Sequence, residues 1–296
     1  MFSLALKQAE KFTGLVILSI RYYSGEVECS NGAYVILNRD GWLVTASHIL
    51  EPILVFQAHK QAIADYENLK QNIEVDKRLN TKQRRHELKK LRPNPRWITN
   101  YSYWWEYGGA AYDIQGDQLR DIAIARLMPF DPSKVSSYPT FWNPDDSLTP
   151  GTSLCKLGFP FHPIKATFDQ ATGKFQLAPE TFPVPRFPLD GILTRGLEIL
   201  DVNTGQKAEF FEMSTPGLRG QSGGPVFDVR ARVCGIQSRT NIYPLGFSPK
   251  INRDGREVTE HQFLNIGVAA HVKAILSFLN IHGVAVTVAP KSQEGQ

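Results

Sequence analysis

Cysteine is scarce. Cys29, Cys155 and Cys234 are the only three, an odd number with neither CxxC nor metal-ligand spacing. That excludes an even disulfide framework and a thiolate metal centre. Long apolar runs are missing as well. The longest strong candidate, Gly14–Ile20, is strand-sized, against the roughly 20 residues that a membrane-spanning helix needs. The first residues, Met1–Lys11, lack a basic segment ahead of an apolar one, so no secretory leader is expected. There is no Walker A sequence, no GxGxxG after a strand and no HExxH, so no cofactor and no metal is expected. The expectation is a soluble cytoplasmic chain with no membrane association.

Excess charge is also missing from most of the chain. The formal net charge is +4, but residues 57–92 hold ten Lys/Arg against five Asp/Glu. That segment carries +5, and the rest sums to about −1. It is helical by pattern: Ala58, Ala62, Tyr66, Leu69 and Ile73 recur at spacings of four, four, three and four. Asn80-Thr81 can end this helix and cap a second that runs towards Pro93. His59 and His86 fall on its solvated faces. No aromatics interleave with the basic residues, so a nucleic-acid platform is not expected. A solvated helical insertion of about residues 57–95 is the simplest reading, and a dock for an acidic partner is the sharper one.

The rest of the chain reads as strand and turn. Short β-rich runs, such as Leu15–Tyr23, Ala33–Leu37, Trp42–Thr45, Ile122–Leu127 and Val233–Gln237, alternate with Gly, Pro, Asn and Asp. Asn38–Gly41 and Asp201–Gly205 read as hairpin turns. Such spacing predicts an all-β protein of barrels or sandwiches. Residues 129–150 are the better candidate for a link between two units, predicted as 1–140 and 141–296. Near the end, Asn265–Ala270 reads as a last strand, a short amphipathic helix follows, and Gly283 onward reads as a partly disordered tail.

Three islands carry chemistry: Leu43-Val-Thr-Ala-Ser-His48, Asp121-Ile-Ala-Ile-Ala125 and Gly217-Leu-Arg-Gly-Gln-Ser-Gly-Gly-Pro225. Singly, each has an ordinary explanation. A histidine at a strand end is usually structural, an aspartate before a strand is usually a turn residue, and Gly-Ser-Gly is usually loop. Together and in this order, they resemble the chymotrypsin-like (trypsin-like) serine peptidases, whose motifs read close to T-A-[AS]-H, D-[IL]-A-[IL] and G-x-S-G-G-P. The motifs anchor roughly residues 13–50 and 117–275.

The resemblance implies two antiparallel Greek-key β-barrels, with the helical insertion in the first and a C-terminal helix after the second. It also implies roles. A serine hydroxyl becomes a useful nucleophile when a base takes its proton. His48 is the implied base, Asp121 its orienting acid and Ser222 the nucleophile. Gly220 and Ser222 are the implied oxyanion donors. Pro216, Arg219, Ser238 and Thr240 are the implied substrate-binding residues, Ser238 also supporting Asp121. The implied substrate is a polypeptide, cut through an acyl-enzyme.

The departures are informative. Gln221 precedes the serine where digestive trypsins have an aspartate, so their zymogen switch cannot operate. This places the chain nearer the bacterial intracellular and HtrA-type branch, with no PDZ domain expected. Pro216 stands where Lys/Arg-specific enzymes have an acid, and Thr240 where an open pocket has glycine. A shallow P1 pocket for small or medium uncharged residues is therefore expected. The long span between His48 and Asp121 ends in Trp97, Tyr101, Tyr103, Trp104, Trp105 and Tyr107, read as core and hairpin residues. Residues 57–107 could otherwise engage a regulatory protein. Other readings stay open: a catalytically inactive binding module on the same fold, a basic-helix nucleic-acid binder, and an α/β-hydrolase elbow, G-x-S-x-G. The elbow needs a helix after the serine, and Pro225-Val-Phe is strand-like.

Overall fold

The computed structural model describes residues 1–292. The first half opens with a helix, α1 (Ser3–Ala9), and three strands, β1 (Thr13–Tyr22), β2 (Val27–Ile36) and β3 (Trp42–Thr45). Two helices follow, α2 (Ser47–Val75) and α3 (Thr81–Lys90), then β4 (Ile98–Trp105), β5 (Ala110–Asp117) and β6 (Ile122–Met128). The six strands form one antiparallel sheet in the order β4-β1-β2-β3-β6-β5. It curls as a half-barrel around Val16, Tyr34, Ile36, Leu43, Trp105 and Leu127, all under 4% exposed. Burying each such side chain stabilises by about 1.5–3 kcal/mol.

The second half begins with the short β7 (Thr140–Phe141), then β8 (Ser153–Gly158) and a small hairpin of β9 (Ala166–Asp169) and β10 (Lys174–Leu177). It continues through β11 (Phe187–Leu200), β12 (Lys207–Met213), β13 (Pro225–Phe227) and β14 (Arg232–Pro244). A second small hairpin, β15 (Lys250–Arg253) and β16 (Arg256–Thr259), leads to β17 (Phe263–His271), α4 (Val272–Ile281) and β18 (Thr287–Val288). The order β13-β8-β11-β12-β17-β14 closes on itself because β13 also pairs with β14. This half is thus a closed antiparallel barrel, filled by Leu154, Leu193, Phe211, Met213 and Ala269. β7 and β18 extend it by parallel pairing, which the sequence pattern did not suggest. A further apolar cluster, including Val35, Val44 and Ile124 from the first half and Leu157 and Phe227 from the second, joins the two. No described helix is long and apolar enough to cross a membrane.

Three sequence expectations need correction. The helical arm is longer than read: it starts at Ser47, so the helix that bears His48 runs on uninterrupted into the basic insertion. Its inward face is narrower than expected: Ala58 and Leu69 are exposed, the latter by 54%. Tyr66, of the expected stripe, meets Tyr23 and Trp97 edge to face, and Phe56, outside it, meets Tyr101. His59 is not solvated: its Nδ1 accepts the Ile98 N–H at 3.1 Å and ties α2 to β4. Residues from Gly283 to Ser292 are not a tail either. Val284 and Ala289 are buried, and Ser292 N–H and hydroxyl bond Asp146; the remainder of the expected tail, 293–296, lies outside the described residues. α1, which carries no strong periodicity, packs Phe2 against Phe227. By contrast, Asn80 caps α3 through a reciprocal box with Gln83, as its position predicts. Trp105 and Tyr107 are core, as expected of the aromatic run.

Candidate active site

β3 is a short apolar strand whose end, Thr45-Ala46, turns directly into α2. His48 therefore sits in the first helical turn, at the surface between the two halves. Thr45 is buried, and its hydroxyl donates to the Ala33 carbonyl at 2.8 Å, fixing the strand end to β2. Asp121 precedes β6, the neighbour of β3, with its backbone at a φ of 51°. An aspartate tolerates this left-handed turn better than most residues.

The pairing of β3 with β6 brings the two side chains together. His48 Nδ1 lies 3.0 Å from both carboxylate oxygens of Asp121, and the His48 backbone N–H donates to Oδ1 at 3.1 Å. The Ser238 hydroxyl donates to Oδ2 at 2.5 Å from the second barrel. Burial alone would lower the pKa of His48; the hydrogen bond and charge of Asp121, with Glu51, outweigh it, and the net direction is upward. Burial would raise the Asp121 carboxyl, but its bonds to His48 and Ser238 hold it below the usual carboxylate range.

The serine turn is set by glycines. Gly220 has a φ of +92°, and a Cβ there would lie 2.5 Å from the Phe159 carbonyl oxygen. Gly223 has a φ of +80°, and a Cβ would fall 2.1 Å from both the Ala33 carbonyl oxygen and the Thr45 hydroxyl. The turn is stitched into both halves: Ala33 N–H donates to Ser222 O, and Gly223 N–H to Gln237 O, each at 2.8 Å. Among the described residues, the N–H groups of Gly220 and Ser222 have no acceptor. The Ser222 hydroxyl donates to the Ser238 carbonyl at 3.3 Å, and no hydrogen bond joins it to His48. Both residues nevertheless line the same two cavities. One, of about 680 Å³, is bounded by Val16, Ile49 and Phe161; the other, of about 390 Å³, lies between Gly217–Arg219 and Ser238–Thr240.

The remaining sequence-derived residues fall as follows. Gln221 is buried and uses its side-chain oxygen to accept the Leu218 N–H. Arg219 lines both cavities, and Thr240 the smaller, where its hydroxyl donates to Gly217 O at 2.6 Å. Pro216 does not line the cavity but stands behind it, its carbonyl accepting from Lys156 Nζ at 2.7 Å. Lys156 was missed by the sequence reading, although a lysine inside the apolar strand Leu154-Cys-Lys-Leu157 is a signal in itself. Among the described residues, no cluster of three or more His, Cys, Asp or Glu is placed to hold a metal ion.

Two β-sheet halves with a histidine–aspartate pair from one and a glycine-framed serine from the other define the trypsin-like class of fold. The family model described as trypsin-like peptidase domain matches residues 32–236, more than half of the sequence, and the chain belongs to that family. Among solved structures, it is similar to a variant of the HtrA-type protease AlgW with decapeptide, at 12% identity and a TM-score of 0.50, over 96% of this chain and 68% of that one. HtrA-type protease AlgW with tripeptide gives 14% identity and a TM-score of 0.49, over 96% and 64%. This chain spans less than two thirds of the length of that relative. No curated protein sequence matches.

Proposed function

We propose that the protein is a serine endopeptidase in which His48, Asp121 and Ser222 act as the catalytic triad. The observation that carries the reading is the conjunction of a His48–Asp121 pair held at 3.0 Å with two unengaged N–H groups, Gly220 and Ser222, flanking a serine in the same cleft. The Ser222 hydroxyl leaves the Ser238 carbonyl, gives its proton to His48 Nε2 and bonds the scissile carbonyl carbon. The oxyanion forms against the two N–H groups, whose individual worth is about 3–4 kcal/mol in such sites. The imidazolium, steadied by Asp121, returns the proton to the leaving amine, and the acyl-enzyme is then hydrolysed by water with the same base.

The division into units 1–140 and 141–296 is part of this proposal, each supplying its share of the triad. So is regulation by a protein partner through residues 57–107, since the helix that carries His48 continues into that basic arm. The three free thiols favour a reducing, cytoplasmic setting.

One observation favours a second reading, a catalytically inactive binding module: the Ser222 hydroxyl is engaged by Ser238 rather than by His48. A fluorophosphonate probe separates the two. Labelling of the wild type that disappears in Ser222→Ala is expected, and absence of labelling, alone or with added partner proteins, would overturn the peptidase reading.

A further inference from the structure

The smaller cavity beside Ser222 has an unusual electrostatic lining. Its ionisable residues are His48, Arg219 and Arg239, and no carboxylate is among them. Both arginines are exposed. Among the described residues neither guanidinium has an ion-pair or hydrogen-bond partner, and Arg239 rests on the Phe210 ring at 4.6 Å. This contrasts with Arg195, Arg186 and Arg232, each of which holds a carboxylate at 2.8 Å or closer.

Behind the cavity wall sits a third basic group. Lys156 is fully buried and forms no ion pair among the described residues. Its ammonium donates to the carbonyls of Thr215 and Pro216, both at 2.7 Å. It fits because residue 267 is glycine: a Cβ there would stand 2.8 Å from Nζ. The consequence for the wall is directional. The carbonyls of residues 215 and 216 point back at the ammonium, and that of Gly217 is taken by the Thr240 hydroxyl. The Gly217 N–H has no acceptor among the described residues. Three backbone acceptors of the wall are thus engaged and the Gly217 N–H is left as a donor. The side-chain oxygen of Gln237, another lining residue, has no donor among the described residues, and the arginines put positive charge on the lining. A buried charge acts more strongly through a poorly polarisable wall than through water.

We propose that this cavity receives an acidic side chain, so that the enzyme cuts after Glu or Asp. The proposal rests on the peptidase reading, and it replaces the uncharged P1 residue expected from Pro216 and Thr240 alone. A neutral side chain leaves Arg219, Arg239 and Lys156 unpaired, whereas a carboxylate complements all three. The binding register is that of a residue preceding the bond attacked by Ser222.

The test has two arms. In the first, quenched peptides identical except for Glu, Gln, Ala or Lys at P1 are cleaved by the wild type, Arg219→Gln, Arg239→Gln and Lys156→Met proteins. Glu is expected to exceed Gln by about tenfold in kcat/KM at low salt, with the ratio shrinking as salt screens it. Each arginine substitution should pull the Glu/Gln ratio towards one, so the outcome does not depend on whether Lys156→Met folds. Equal rates for Glu and Gln, or preference for Lys, would overturn the proposal. In the second arm, Ser222→Ala binds three acetylated tripeptides: Ala-Ala-Glu amide, Ala-Ala-Gln amide and Ala-Ala-Gln with a free carboxylate. Tightest binding of the Glu amide supports the side-chain assignment even if the wild type cleaves nothing, which would sink the peptidase reading alone. Tightest binding of the free acid assigns the cavity to a chain terminus and overturns the proposal.

Discussion

Asp121 holds His48 at two places, through the ring at Nδ1 and through the backbone N–H, both against the same oxygen Oδ1. The carboxylate thereby fixes where the helix starts as well as which ring nitrogen carries the proton. With Nδ1–H donated to Asp121, Nε2 is left as the acceptor, the form a general base requires.

Asp121→Asn keeps the shape and removes the charge. The amide can present its NH2 to the ring and favour the wrong tautomer, so turnover is expected to fall about 10³–10⁴-fold with little loss of stability. Peptide cleavage rates together with thermal denaturation check this. A fall in the melting temperature that accounts for the lost activity would contradict the assigned role.

The pH dependence follows from the same pair. As the proposed base, His48 must be neutral to accept a proton, so activity is expected to rise with pH through its pKa in the folded protein. Asp121 and Glu51 outweigh burial and place that pKa above the ordinary 6.5. The midpoint of the acid limb of kcat/KM is therefore expected above 6.5 in the wild type. In Asp121→Asn the burial effect is left opposed by Glu51 alone, and the midpoint should move down. An upward move would show that the base is not His48.

Gly223→Ala tests the serine turn. The new Cβ would meet two oxygens at 2.1 Å, from Ala33 and Thr45, at a φ that side chains avoid. A stability loss of more than about 2 kcal/mol is expected in urea titrations, a core-type defect at a buried glycine. If the variant were as stable as the wild type, the turn would have to be looser than the contacts between the halves allow.

These glycines explain why the site was legible in sequence. Each motif encodes a local backbone requirement: small residues after β3, an acid at a left-handed turn, glycines where Cβ atoms would strike Phe159, Ala33 and Leu157. Local requirements leave local signatures. The helical arm was half legible, because its periodicity marks a helix but not which side meets β4; the aromatic contacts of Tyr66 and the bond from Ile98 to His59 depend on a strand some 40 residues away. The parallel pairing of β18 with β7 and the packing of α1 on Phe227 are long-range choices that short apolar runs do not specify. Lys156 escaped for a different reason: its partners are backbone carbonyls, which leave no trace in residue identity.

His59 joins the arm to the sheet through one hydrogen bond, from the Ile98 N–H. His59→Ala leaves that half-buried donor unpaired and should cost about 1–2 kcal/mol locally. Limited proteolysis is expected to cut faster within residues 60–92 while fluorophosphonate labelling of Ser222 stays unchanged. Slower labelling would mean that the arm and the base are coupled through α2.

Lys156 gives a stability signature independent of catalysis. Burial without a carboxylate lowers its pKa from 10.5 to about 7. Between those values the unfolded chain holds a proton on this lysine that the folded chain has released. Stability from this group therefore rises with pH across that window, by at most about 1.4 kcal/mol per pH unit. Below pH 7 both states are protonated and the dependence vanishes. Lys156→Met removes the titration, although it also strips a donor from the Pro216 carbonyl. The difference in unfolding free energy, wild type minus variant, should accordingly climb from pH 7.5 to 9 whatever its value at neutrality. A flat difference would mean that the ammonium keeps its proton in the folded protein. A carboxylate-bearing peptide bound in the adjoining cavity should flatten it in the same way, by stabilising the protonated form.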